Sequence, residues 1–68
     1  MTGKYRTANP ILGLVSGSDG HAAITIPTGT ILDLDGTFLD GGRLMETIFD
    51  GRVVMMFTSD LRAQTIPA

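Results

Sequence analysis

The chain has no cysteine and no tryptophan, and only one histidine, one tyrosine and one lysine, in 68 residues. Without cysteine there are no disulfides, and a lone histidine leaves no basis for a zinc cluster. A chain this short buries only about 60% of the surface its unfolded form exposes, so it is marginal alone. Small domains that lack both staples commonly lean on oligomerisation. Charge is also scarce. Charged residues make up 18% of the chain, below the roughly one quarter of an average domain. Five cations against seven acids leave a net charge of −2. That excludes the basic footprint of a nucleic-acid binder and offers nothing to an anionic membrane. The apolar runs are a few residues long, too short to span a bilayer. Met-Thr-Gly-Lys-Tyr-Arg is followed by no apolar stretch of the signal-peptide kind, so a cytoplasmic protein is expected. The length fits one small domain over 1–68, without separate cap, core and cofactor domains.

What is present favours a folded chain. The hydrophobic fraction is 43%, which argues against disorder. Glycine and proline punctuate the sequence at the spacing of short strands. Residues 1–9 are polar and read as an arm. Pro10 opens a first strand, Pro-Ile-Leu-Gly-Leu-Val, at the one strand position that needs no donor. Ser16 to Gly20 is loop chemistry. Ala22 to Ile26 alternates, with Ile24 and Ile26 on one side, and Pro27-Thr28-Gly29 is a turn. Thr30 to Asp35 alternates most clearly, with Leu32 and Leu34 inward and Asp33 and Asp35 outward, as in a half-buried strand. Residues 43–50 read as a strand, because Asp50-Gly51 between two apolar runs is a strong hairpin signal. A short helix is the rival there, through the Leu44/Ile48 and Met45/Phe49 spacings. Val53 to Phe57 is a further strand. Thr58 to Arg62 reads as one helical turn capped by Thr58 or Ser59, with Leu61 inward. Ala63 to Ile66 is a closing strand ended by Pro67.

One motif invites a catalytic reading. Ile31-Leu32-Asp33-Leu34-Asp35-Gly36-Thr37 resembles the first signature of the haloacid-dehalogenase-like phosphatases, Asp-x-Asp-Gly-Thr. The resemblance implies Asp33 as nucleophile and Asp35 as acid/base, both helping to hold magnesium. Met55-Met56-Phe57-Thr58 echoes that family's second signature. The rest of the pattern is missing. The family needs a later lysine, and Lys4 lies upstream. It needs a later acidic pair, and only Asp60 follows Thr58. Its first strand is buried on both faces, whereas the Asp33/Asp35 segment has a wet side. Its doubly wound core also needs crossovers that this length cannot supply. As a calcium loop, Asp33, Asp35 and Asp40 fail at the sixth and twelfth positions, which hold Phe38 and Leu44. His21, Ser16, Ser18 and Ser59 have no nucleophile context. Gly13, Gly17 and Gly20 lack the Lys-Ser/Thr ending of a phosphate loop. No cofactor, metal or catalytic residue is therefore expected and the chain reads as a non-enzyme, the alternative being a phosphatase-like or metal-binding site on Asp33 and Asp35.

The surplus lies in residues 44–57. Folded about Asp50-Gly51, the hairpin puts Phe49 opposite Arg52, Thr47 opposite Val54 and Met45 opposite Met56. Its other face carries Ile48, Val53, Met55 and Phe57, with Leu44 and Glu46. Both faces are apolar, and a small domain has one interior. An interface at Ile48, Val53, Met55 and Phe57 is expected, with a homo-oligomer or an unknown protein partner covering it.

The order of about five short strands, an Asp-Gly hairpin and a helical turn before a last strand resembles small Src-homology-three-like β-barrels. In detail, Ile-Pro-x-Gly-Thr-Ile-Leu followed by Phe-Asp-Gly-Arg-Val-Val-Met-Met-Phe-x-x-Asp-Leu-Arg is similar to small bacterial proteins of that type. The resemblance implies an all-β, five-stranded barrel that binds peptides, nucleic acid or its own kind. The missing tryptophan argues against a polyproline groove, and the low positive charge argues against nucleic acid.

Overall fold

The computed structural model describes residues 2–17 and 19–68. Met1 of the expected arm and Ser18 of the expected Ser16–Gly20 loop lie outside the described residues. Seven strands form one antiparallel sheet: β1 (Gly3–Thr7), β2 (Ile11–Gly17), β3 (Gly20–Ile26), β4 (Ile31–Leu39), β5 (Leu44–Phe49), β6 (Arg52–Phe57) and β7 (Thr65–Pro67). Their order across the sheet is β3-β2-β6-β5-β4-β1-β7. A helix, α1 (Thr58–Gln64), links β6 to β7, and a 3₁₀ turn at Asp40–Gly42 links β4 to β5. Among the described residues no helix is long and apolar enough to cross a membrane.

The all-β expectation holds, but the five-stranded closed barrel does not. The sheet has seven strands and stays open, because β3 and β7 end it as free edges. The strand that no segment of the sequence reading supplied is β1, whose polarity hid it. Residues 3–7 were expected as an arm, yet they form β1, pairing with β4 from Gly3↔Leu34 to Arg6↔Ile31. Alternation explains this: Tyr5 packs against the core and Thr7 is buried, while Lys4 and Arg6 stay outside. Thr7 also fastens the chain. Its hydroxyl donates to the Pro27 carbonyl at 2.7 Å and accepts the Thr30 N–H at 2.9 Å. Its backbone exchanges bonds with Thr30 and Gly29. The turn after β3 is thereby held against β1, at one corner of an otherwise open sheet.

The hairpin over 44–57 forms as the strand reading requires, and the rival helix does not. Phe49↔Arg52, Thr47↔Val54 and Met45↔Met56 are in register. Asp50 and Gly51 have φ of 53° and 74°, the two positive values a type I′ turn needs. The helical segment is longer than one turn, so Ala63 and Gln64 are helical and β7 begins at Thr65. The expected cap is also different. Phe57 occupies the N-cap position, and the Thr58 hydroxyl donates to the Gly42 carbonyl instead, at 2.7 Å. Leu61 points inward and is fully buried.

The core lies on one side of the coiled sheet. Ile11, Ile26, Leu32, Leu34, Met45, Val54, Met56 and Leu61 form it. Thr47 is buried among them, its hydroxyl donating to the Val54 carbonyl at 3.0 Å. Gly13 sits on the inner face of β2, where a Cβ would lie 2.6 Å from Cγ1 of Val54 on the paired strand β6. Glycine at this position leaves that space to the Val54 side chain.

Candidate functional site

Strand alternation sorts β2, β6 and β5 into two faces. The inner face carries Ile11, Gly13, Val54, Met56, Met45 and Thr47, all buried. The outer face carries Leu12, Leu14 and Ser16 on β2, Val53, Met55 and Phe57 on β6, and Leu44, Glu46 and Ile48 on β5. Register aligns these in rows. Leu14 lies opposite Met55, and Met55 opposite Glu46. Val53 lies opposite Ile48, and Ile48 opposite Asp33. Phe57 lies opposite Leu44, and Leu44 opposite Leu39. Leu12 is 44% exposed, Val53 53% and Phe57 39%, so the centre of the sheet presents bare hydrocarbon. Leu14, Leu44, Ile48 and Met55 are half-buried by these neighbours. Glu46 is the one charged side chain among the nine.

The expected interface residues Ile48, Val53, Met55 and Phe57 therefore share one face. Leu12 and Leu14 extend it onto β2, which the sequence reading had not assigned to it. The signal was present in the Leu-Gly-Leu triplet: with Gly13 filling the inner position, both leucines fall outside. A cleft of about 480 Å³ opens at the rim, lined by Val15, Ser16, Glu46, Arg52, Val53 and Met55. It exists because the β2–β6 ladder stops at Leu14↔Met55 while both strands run on.

Toward β4 and β1 the same face becomes charged. Asp33 sits opposite Lys4, and their side chains make an exposed ion pair at 3.5 Å. Asp35, Gly36 and Thr37 form a bulge: β4 spends these three residues where β5 spends Glu46 alone. The Asp35 carboxylate accepts the Thr37 N–H at 2.9 Å and so holds the bulge in shape. The resemblance to a phosphatase signature is thus spelled by a strand and its bulge. Thr58, the would-be partner, is buried at the far end of β5, where its N–H donates to Arg43. Five positions separate Arg43 from Ile48, the residue facing Asp33, or about 17 Å along a strand. Asp40 pairs with Arg43 at 3.0 Å. Among the described residues no group of three or more His, Cys, Asp or Glu is placed to hold a metal ion. His21 lies exposed on β3.

No protein-family model, curated protein or solved structure matches the chain.

Proposed function

We propose that this chain is a non-enzymatic protein-interaction module that associates with its own kind through the outer face of β2, β6 and β5. One observation carries the reading: Leu12, Leu14, Val53, Met55, Phe57, Leu44 and Ile48 form a contiguous apolar face over the middle of the sheet, with three of them more than a third exposed. Patches of this kind mark interaction sites, because leaving them wet forfeits the free energy of burial. A chain of 68 residues without disulfides gains most from such burial. The resemblance to small bacterial Src-homology-three-like proteins supports the same reading, since such modules bind peptides or copies of themselves. That resemblance rests on turn and core positions, and the open sheet takes the place of the barrel.

Light scattering at micromolar concentration tests the proposal. The wild-type mass is a multiple of the 7.2 kDa chain. A Val53→Lys/Phe57→Lys variant keeps its far-ultraviolet spectrum and has a lower mass than the wild type at the same concentration, because charge on a packed apolar face opposes association through that face. A wild-type protein that remains at the single-chain mass overturns the reading.

A further inference from the structure

The two edges of the sheet are finished differently. β7 is three residues long and ends in Pro67, which has no N–H to offer. β3 is seven residues long, Gly-His-Ala-Ala-Ile-Thr-Ile, with no lysine, arginine, acid or proline. Its register with β2 runs unbroken from Ile11↔Ile26 to Gly17↔Gly20, so no bulge turns it away. Folded proteins blunt their edges with shortness, charge, proline or bulges. β7 has two of these devices and β3 has none.

The direction of the free backbone groups follows from the hairpins. Across the two-residue Asp50-Gly51 turn, Phe49 and Arg52 exchange both bonds. Alternation then turns the N–H and C=O of Val53, Met55 and Phe57 toward β2. Leu14 faces Met55, so Leu12, Leu14 and Ser16 bond toward β6, and Ile11, Gly13, Val15 and Gly17 bond toward β3. Their partners on β3 are Ile26, Ile24, Ala22 and Gly20. The N–H and C=O groups of His21, Ala23 and Thr25 are left pointing out of the sheet.

We propose that a second copy of this chain adds its own β3 antiparallel to this edge, about a twofold axis at Ala23. Ala23 then meets Ala23 of the second copy, and His21 meets Thr25 in both directions. The outward groups of these residues supply a symmetric main-chain ladder. β3 holds no lysine, arginine or acid, and the pairing sets His21 opposite Thr25 and not opposite another histidine, so no like charges lie directly opposite. The outer-face row Met55–Leu14–Ala23 continues across the axis into the same row reversed. That continuity favours a second copy over an unrelated strand, which would take the hydrogen bonds without extending the apolar row. With β7 short and ended by proline, the pairing closes as a dimer and does not propagate. The inference does not rest on the outer-face reading, which concerns the face of the sheet and not its edge.

Amide hydrogen exchange by NMR, followed against protein concentration, tests it. At high concentration the amides of His21, Ala23 and Thr25 gain protection of about tenfold once nine chains in ten are paired. Those of Ala22 and Ile24 are protected throughout by β2. Ala23→Pro removes an outward donor and abolishes the gain. Thr25→Lys, whose side chain is exposed, abolishes it as well and decides the matter if the proline variant unfolds. The Val53→Lys/Phe57→Lys variant keeps the gain, which separates the edge from the face. If His21, Ala23 and Thr25 exchange at the same rate at every concentration up to millimolar, the proposal is overturned and the edge is left for another protein's strand. If Thr25→Lys pairs as the wild type does, it is overturned equally.

Discussion

The two faces of the β5–β6 hairpin are built from the same kinds of residue and meet different fates. Met45, Met56 and Val54 lie on one face and are fully buried. Met55, Ile48, Val53 and Phe57 lie one position away on the other, where Val53 is 53% exposed. Composition does not distinguish the two sets. What distinguishes them is coverage: Leu32, Leu34, Ile11, Ile26 and Leu61 close over the first face, and among the described residues no element closes over the second. Apolar side chains stabilise a fold only in proportion to the area that something removes from water. The same hydrocarbon is thus core on one side and left exposed to solvent on the other.

The sharpest way to break this comparison is to truncate both faces. Leu32→Ala, on the inner face, is expected to cost about 2–5 kcal/mol in urea unfolding. Val53→Ala, on the outer face, is expected to change the stability of the single chain by less than about 0.5 kcal/mol, measured at a concentration low enough to exclude association. Equal losses would mean that the two faces are equally covered. A smaller effect sits where the inner face is tightest. Gly13→Ala brings a methyl to 2.6 Å from Cγ1 of the buried, β-branched Val54, so one of the two must shift. A loss of about 1–3 kcal/mol in the same measurement is expected from overpacking. The smallest effect belongs to the charged half of the outer face. Asp33→Asn removes the Lys4 pair, whose side chains are 66% and 54% exposed. Solvent screening holds the change below about 0.5 kcal/mol. A magnesium-dependent shift of the Asp33 and Asp35 NMR signals in the wild type would instead point to a cation site there.

Much of the fold was legible because local chemistry and final structure agree. Asp50-Gly51 demands positive φ at two positions, and that demand alone set the register of β5 on β6. Leu32 and Leu34 were readable as inward-facing for the same reason of strict alternation. The misreadings fall where local signals are weak. Gly3–Thr7 has one aromatic residue and two cations, and it becomes a strand only because β4 and β7 lie on either side of it. Asp35-Gly36-Thr37 looks like a catalytic signature in one dimension. In three it is a bulge, in which β4 spends three residues between Leu34↔Thr47 and Phe38↔Met45 where β5 spends one. Thr58 does not cap its helix because it is the first helical residue, with Phe57 at the N-cap, and its hydroxyl donates to the Gly42 carbonyl. For the candidate surface, Ile48, Val53, Met55 and Phe57 were readable from hairpin parity, whereas Leu12 and Leu14 needed the pairing of β2 with β6.

The sequence by itself determined the strand-rich class, the hairpin register and the presence of more apolar surface than one small core can use. These follow from alternation and turn chemistry, which act over a few residues. Only the tertiary structure decided that seven strands stay open as one sheet, which apolar face is left bare, and that β3 is the unguarded edge. Those outcomes depend on which distant segments meet, as in the bonds of Thr7 with Pro27 and Thr30, the pairing of β2 with β6, and the burial of Leu61 in the core.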